Sequence, residues 1–380
     1  MIRNISKDLH VQVSLHTTIL LGYIPVGKFN NFSEKTQPIA QYQLFHHCMA
    51  LILTSLVNMG QSGIKMMCTD STICWIFPIL TAYLADYPEQ CLIACCMENR
   101  CPLCKIDPNA RGVNICGPKC NMPELLDLLV CHESQSSTVL RQEMKIIGLC
   151  PVYPPFWKDL PHTDIFQAFT PDLLHQLHKG VFKEHLVKWS MAIIGDEEIN
   201  ARFKCMTLHP RLWQFKNGIS SVSQWTGKEH KEMQKAFLGL VAGGTEPCFV
   251  QAVQAVTNFI FYSSLRSHTL HTVWALEAAL NEFHANKDIF IKLGVSKQHI
   301  LTSQRSTQCN TTLSWSSVLD WWMDSILRVL SDCTSIMLRK LTMQATKRTL
   351  SPKWWFGCAD RNPLIISICI LTGKRESTMC

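Results

Sequence analysis

The alternation of apolar and polar positions gives the first outline of this chain. "TTILLGYIPV", residues 17–26, is an apolar run containing a proline near its end and reads as a strand. "QLFHHCMALILTSLVNMG", residues 43–60, has a helix-length apolar pattern closed by a glycine, and a strand pair is expected after it. "IFPILTAYLADYPEQCLIACC", residues 76–96, holds two apolar runs broken at Asp86 and Pro88, the pattern of a buried strand, a loop and a second strand in an α/β sheet. From 170 to 300 the period is helical, in "TPDLLHQLHKGVFKEHLVKW", "TGKEHKEMQKAFLGLVAGG" and "LHTVWALEAALNEFHANKDIFIKLG". In the first of these Thr170 is the expected N-cap and Pro171 the first-turn residue, with Leu174, Leu177, Val181, Phe182, Leu186 and Trp189 as the buried face. No internal repeat and no low-complexity linker interrupts this order.

Composition narrows the class. With 380 residues and 47% hydrophobic content, the chain can build a large core, and a prior of ~150 residues per domain allows two or three units. Nineteen cysteines is an odd count in a long chain, and "MIRNISKDLH" lacks the apolar region of a signal peptide, so a reducing compartment, nuclear or cytoplasmic, is expected. No uninterrupted apolar run reaches the ~18 residues of a membrane span. The net charge of +7 is concentrated at one end: residues 301–380 hold ten Lys or Arg against five Asp or Glu, and five of the eleven tryptophans. The first 300 residues are therefore almost neutral. The shift marks a separate module or a segment never selected as protein.

The candidate chemistry has a plain reading beside each functional one. Cys101 and Cys104 in "CPLC" have the gap that lets two thiolates bind one tetrahedral zinc, and Cys116 and Cys120 in "CGPKC" are able to complete the set. A cysteine-rich chain also makes such spacings by chance. Asp86 follows an apolar run and is expected at a strand's carboxyl end, where ligand and metal groups collect, or else as a simple loop residue. Asp172 suits the positive end of a helix dipole, and His175, one turn on, lies where that carboxylate can orient its imidazole. Thr226 and Glu229 have capping-box spacing, although a helical glutamate is equally suited to a metal.

The order of "GYIPVGKF", "LFHHCM", "PILTAYLADYPEQCLIACC", "CPLC", "FTPDLLHQLHKGVFKEHLVKW", "FKNGISSVSQWTGKEHKEMQKAFLGLVAG" and "FHANKDIFIKLGV" resembles the transposases of Plavaka elements, CACTA-like DNA transposons of basidiomycete fungi, from about residue 4 to 295. The resemblance implies an RNase H-like fold in which acidic residues hold two Mg²⁺ or Mn²⁺ ions for DNA strand cleavage and transfer, with transposon-end DNA as partner. It implies Asp86 as the second metal-ligating acid, Cys101 and Cys104 as the cysteine pair that follows it, Asp172 and His175 as the aspartate-x-x-histidine motif of a helical insertion, and Glu229 as a candidate third acid. Family members carry their first catalytic aspartate on a strand just before the segment that opens this chain, so that ligand is expected to be missing and the chain inactive.

The expected architecture is an incomplete RNase H-like α/β core with the CxxC segment over 1–150, a mainly helical insertion over 151–297, and a poorly ordered, non-native tail over 298–380. The tail is expected to be a frameshifted reading of the family's carboxyl end: "RVLSDCTSIML", residues 328–338, permits "SPQRLHIDYA" in a shifted frame, similar to a family segment. Two other readings are a non-catalytic, zinc-organised module that binds DNA or protein, and a translated relic.

Overall fold

The computed structural model describes residues 20–295, apart from positions 26, 28, 35, 68–70, 72, 107–117, 135–137, 171, 208, 211, 221–224 and 266–267, together with 365–375. The described chain is mostly helical with a small antiparallel sheet. It divides into two compact units, unit 1 comprising residues 1–105, 118–170 and 361–380, and unit 2 comprising 106–117 and 171–360. No described helix is long and apolar enough to cross a membrane.

Unit 1 is organised by helix α1 (Gln37–Ser62), whose buried residues His46, Met49, Leu53, Leu56 and Gly60 recur at three- and four-residue steps. That spacing gathers them into one stripe, which packs against strand β2. Gly60 is required at the crossing, because a Cβ there would stand 2.4 Å from the Pro161 ring and 3.0 Å from the Pro78 carbonyl. Strands β1 (Ile64–Met67) and β2 (Ile73–Leu84) pair antiparallel, with Ile64 opposite Ile76. Strand β2 leads into helix α2 (Tyr87–Ile93), followed by α3 (Met122–Ser134), α4 (Thr138–Ile147) and the short α5 (Ile165–Ala168). Just beyond α5, Phe169 forms a parallel bridge with Tyr83, and the Thr170 N–H donates to the Tyr83 carbonyl at 3.2 Å.

Unit 2 opens with a π-helix (Leu173–Val187) that continues directly into α6 (Lys188–Ile194). Helices α7 (Asp196–Lys204), α8 (Gly227–Val241), α9 (Pro247–Ser263), α10 (Leu270–Asn286) and α11 (Ile289–Lys292) complete it. The π-helix packs against α8 and α9, and α9 also packs along α10. Phe182 and Phe237 meet edge-on at 5.1 Å, and Trp189 lies 4.8 Å from Phe290, so large rings fill the space between these helices.

Several expectations need correction. The α/β reading is replaced by a mostly helical chain whose sheet is small and antiparallel, with strand order β1-β2-β3. "QCLIACC" does not form a second strand, because Asp86 and Pro88 start helix α2 instead. Leu20–Pro25, in the expected first strand, has no regular structure. The helix after Thr170 begins two residues later than expected and is π rather than α. Its wider turn still buries Leu177, Val181, Phe182 and Leu186, but adds Gln176 and His178 to the buried side. Within 298–380 the described stretch is β3 (Ile365–Arg375), which pairs antiparallel with β2 from Leu84 opposite Ile365 to Cys74 opposite Arg375. Residues 328–338, expected to be part of a frameshifted reading, and the five tail tryptophans lie outside the described residues.

Candidate functional site

In unit 1, Asp86 stands at the carboxyl end of β2, as its sequence context predicts. Its backbone is extended, and its Oδ1 accepts the Glu89 N–H at 3.0 Å, making it the N-cap of α2. The capping residue and the metal candidate are therefore the same side chain. Three residues on, Glu89 accepts a hydrogen bond from the Tyr83 hydroxyl at 3.1 Å. Burial, opposed by that hydrogen bond and reinforced by the nearby Asp86 carboxylate, pushes the Glu89 carboxyl up to about 7. A carboxyl raised toward neutrality beside a candidate metal ligand is a feature that sequence reading missed. The signal for it was the three-residue spacing of two acids in "DYPE" at a strand-to-helix turn.

Cys101 and Cys104 are brought together as their spacing predicts. Their thiols are hydrogen bonded to each other, and the Leu103 N–H points at Cys101 Sγ at 3.5 Å. The hydrogen bond with Cys104, followed by burial, pushes the Cys101 thiol well above its ordinary range. Cys116 lies outside the described residues, whereas Cys120 is described and its N–H donates to the Leu103 carbonyl at 2.8 Å.

In unit 2, Asp172 is the N-cap of the π-helix, its Oδ1 accepting the N–H groups of Leu174 at 3.0 Å and His175 at 3.2 Å. Its other oxygen lies 2.8 Å from His175 Nδ1. The aspartate-x-x-histidine pair is thus formed, with the carboxylate both capping the helix and orienting the ring. Glu229 closes a reciprocal capping box: its N–H donates to Thr226 Oγ1 at 3.3 Å, and its Oε2 accepts the Thr226 N–H at 2.7 Å.

Behind these capped ends lies a buried polar cluster. His178 Nδ1 is 2.9–3.0 Å from the Gln234 amide, while His178 Nε2 and His230 Nδ1 have no hydrogen-bond partner among the described residues. Burial, with the positive charge of Lys231 nearby, pushes His178 down to about 4; burial, with His178 and Lys183, does the same to His230. Both imidazoles are therefore neutral at physiological pH. The sequence signal was the four-residue spacing of His230 and Gln234 on one helix face. Among the described residues, no three His, Cys, Asp or Glu side chains form a group arranged to hold a metal ion.

A model of the Plavaka transposase family matches residues 1–190 of the chain. That span contains Asp86, Cys101, Cys104, Asp172 and His175, and ends before Glu229. No curated protein and no solved structure matches the chain.

Proposed function

Because the chain belongs to the Plavaka transposase family, we propose that it derives from an RNase H-like enzyme of metal-dependent DNA strand cleavage and transfer, and has itself given up that chemistry. The observation that carries this reading is the engagement of every candidate acid at a helix start: Asp86 with Glu89 N–H, Asp172 with two N–H groups and His175, Glu229 with Thr226 N–H. Two-metal catalysis needs carboxylates that converge on ions about 3.5–4 Å apart. Here helix capping commits one oxygen of each carboxylate to its own backbone, and among the described residues they do not converge.

In this reading Asp86, at the carboxyl end of β2 and with only its Oδ1 used in the cap, is the retained metal-ligating acid. Its remaining oxygen would hold Mg²⁺ or Mn²⁺, hard ions that take oxygen donors. Asp172 positions His175 at the start of the helical insertion, and Glu229 is the third acid turned to capping. The test is incubation of the purified protein with transposon-end DNA and Mg²⁺ or Mn²⁺. No nicking or strand transfer is expected. Metal-dependent nicking that disappears in Asp86→Ala would overturn the proposal.

A second reading, a binding module without chemistry, is favoured by the surface of unit 2. Lys183 stacks over Trp225 at 5.0 Å and Lys228 over Trp213 at 5.1 Å, and Trp213 is 44% exposed. Lysines interleaved with aromatic rings suit phosphates and unpaired bases. If this surface holds DNA, affinity falls steeply with salt, and Lys228→Ala lowers the slope by about one phosphate equivalent.

A further inference from the structure

Unit 1 places more cysteines around the CPLC turn than the turn itself contains. After the turn the chain leaves through Lys105 and returns through Pro118, joined by a Lys105 N–H to Pro118 carbonyl bond of 2.7 Å and an antiparallel bridge between Cys104 and Lys119. The Cys120 N–H to Leu103 carbonyl bond of 2.8 Å then holds Cys120 across from the middle of the turn. A fourth cysteine comes from a separate segment. Cys96 follows helix α2, its N–H donating to the Cys91 carbonyl at 2.9 Å. Its thiol is hydrogen bonded to that of Cys91 and lies within electrostatic reach of Cys101 and Cys120.

Two features of this cluster suit metal-bound sulfur. The N–H groups of both Leu103 and Cys104 are directed at Cys101 Sγ, that of Leu103 from 3.5 Å. Cys96 and Cys101 are 5% and 8% exposed, so an ion held between them would be closed off from water, as in structural zinc sites.

We propose that Cys96, Cys101, Cys104 and Cys120 are the four ligands of one structural zinc ion, with Cys91 outside the set. This rests on the reading of the CPLC pair as a zinc site and replaces its completion by Cys116 with a ligand from the end of α2. As thiols, the sulfurs bond in pairs, Cys96 to Cys91 and Cys101 to Cys104, so the four do not yet surround one point. Zinc entry exchanges those thiol contacts for four Zn–S bonds, each thiol releasing its proton. The ion would tie the end of α2 to the hairpin, and so fix the helix that Asp86 caps.

The test is elemental analysis of the whole chain purified under reducing conditions without chelator, followed by cobalt exchange and chelator competition. One zinc per chain is expected, and the cobalt form should show the visible bands and sulfur charge-transfer absorption of a tetrahedral four-thiolate site. Cys96→Ser and Cys120→Ser should each weaken zinc retention by more than the roughly 10–100-fold that loss of an outer-shell partner brings, whereas Cys91→Ser should retain zinc. The cobalt spectrum of the unaltered chain keeps the test valid if a serine variant fails to fold. Absence of zinc together with absence of cobalt absorption overturns both this assignment and the CPLC reading. Zinc lost in Cys101→Ser but retained in Cys96→Ser or Cys120→Ser overturns the four-ligand assignment alone.

Discussion

His46 in unit 1 and His178 in unit 2 are both buried imidazoles that burial pushes down to about 4, yet they stand in opposite relations to their surroundings. His46 has both nitrogens engaged: Nδ1 accepts the Phe156 N–H at 3.2 Å, and Nε2 lies 3.0 Å from the Leu92 carbonyl. His178 uses one nitrogen on Gln234, while its Nε2, the Nδ1 of His230 and both amide atoms of Gln176 have no partner among the described residues. Each unsatisfied buried polar group costs about 1–3 kcal/mol. In unit 1 a histidine serves as a cross-brace between α1, the end of α2 and the Phe156 segment. In unit 2 polar groups are buried without that return, which is the expected condition of a region that takes up water or a ligand.

The largest effect that would separate the two units is their response to acid. His178, His185 and His230 are all pushed down to about 4, burial being the main cause in each. A histidine whose folded value lies below the unfolded ~6.5 contributes stability that is complete above that pH and is lost as pH falls toward the folded value. All three act in the same direction, so unit 2 loses stability as pH falls through that window. Unit 1 carries His46 with the same sign, but Glu89 with the opposite one, since its folded value of about 7 lies above the ordinary carboxylate value of 4.5. The Glu89 contribution is present below the unfolded value and is lost as pH rises through about 7, so the two changes offset each other. Hydrogen exchange between pH 6.5 and 5.5 should therefore show the π-helix and α8 losing protection while α1 and α2 hold theirs. Equal loss in both would break the comparison.

Substitution of the two histidines gives the next largest contrast. His46→Leu leaves the Phe156 N–H and the Leu92 carbonyl without partners in a closed core and is expected to destabilise by about 3 kcal/mol in denaturant melts. His178→Leu removes one unsatisfied nitrogen while leaving the Gln234 amide without its partner, so its cost should be about 1 kcal/mol or less. A His178 variant as damaging as the His46 one would mean that its free nitrogen has a partner in solution.

The smallest effects concern the capped helix starts. Asp172→Ala removes two backbone bonds and the His175 contact and should cost about 1–2 kcal/mol, while Thr226→Ala should cost about 1 kcal/mol. Asp86→Asn keeps a capping oxygen, so stability should change by only a few tenths of a kcal/mol. It also removes the neighbouring charge that raises Glu89. The Glu89 titration, followed by NMR, should move down in Asp86→Asn. An unchanged titration would show that burial alone sets it.

Much of the candidate site was legible where its chemistry is local. The Asp172–His175 pair, the Thr226–Glu229 capping box and the CPLC pair join residues three positions apart, so short spacings sufficed to anticipate these contacts, whereas the capping roles of Asp86 and Asp172 were not read. The helix of 43–60 and the helical stretch after 170 were also readable, because an apolar stripe at helical spacing has one use in water. The reading went wrong at "QCLIACC", where apolar content suggested a strand and the cap at Asp86 with Pro88 set a helix instead.

The chain's family, its capped helix starts and its cysteine turn were determined by sequence alone, since motif order and near-neighbour hydrogen bonds require no knowledge of what packs above them. Tertiary structure decided the rest. His46 is a brace because a backbone N–H 110 positions away reaches its ring. Glu89 titrates near neutrality because packing withdraws it from water, and Cys120 faces the CPLC turn because a returning strand carries it there. Burial and desolvation arise from segments distant in sequence, and no local spacing encodes them.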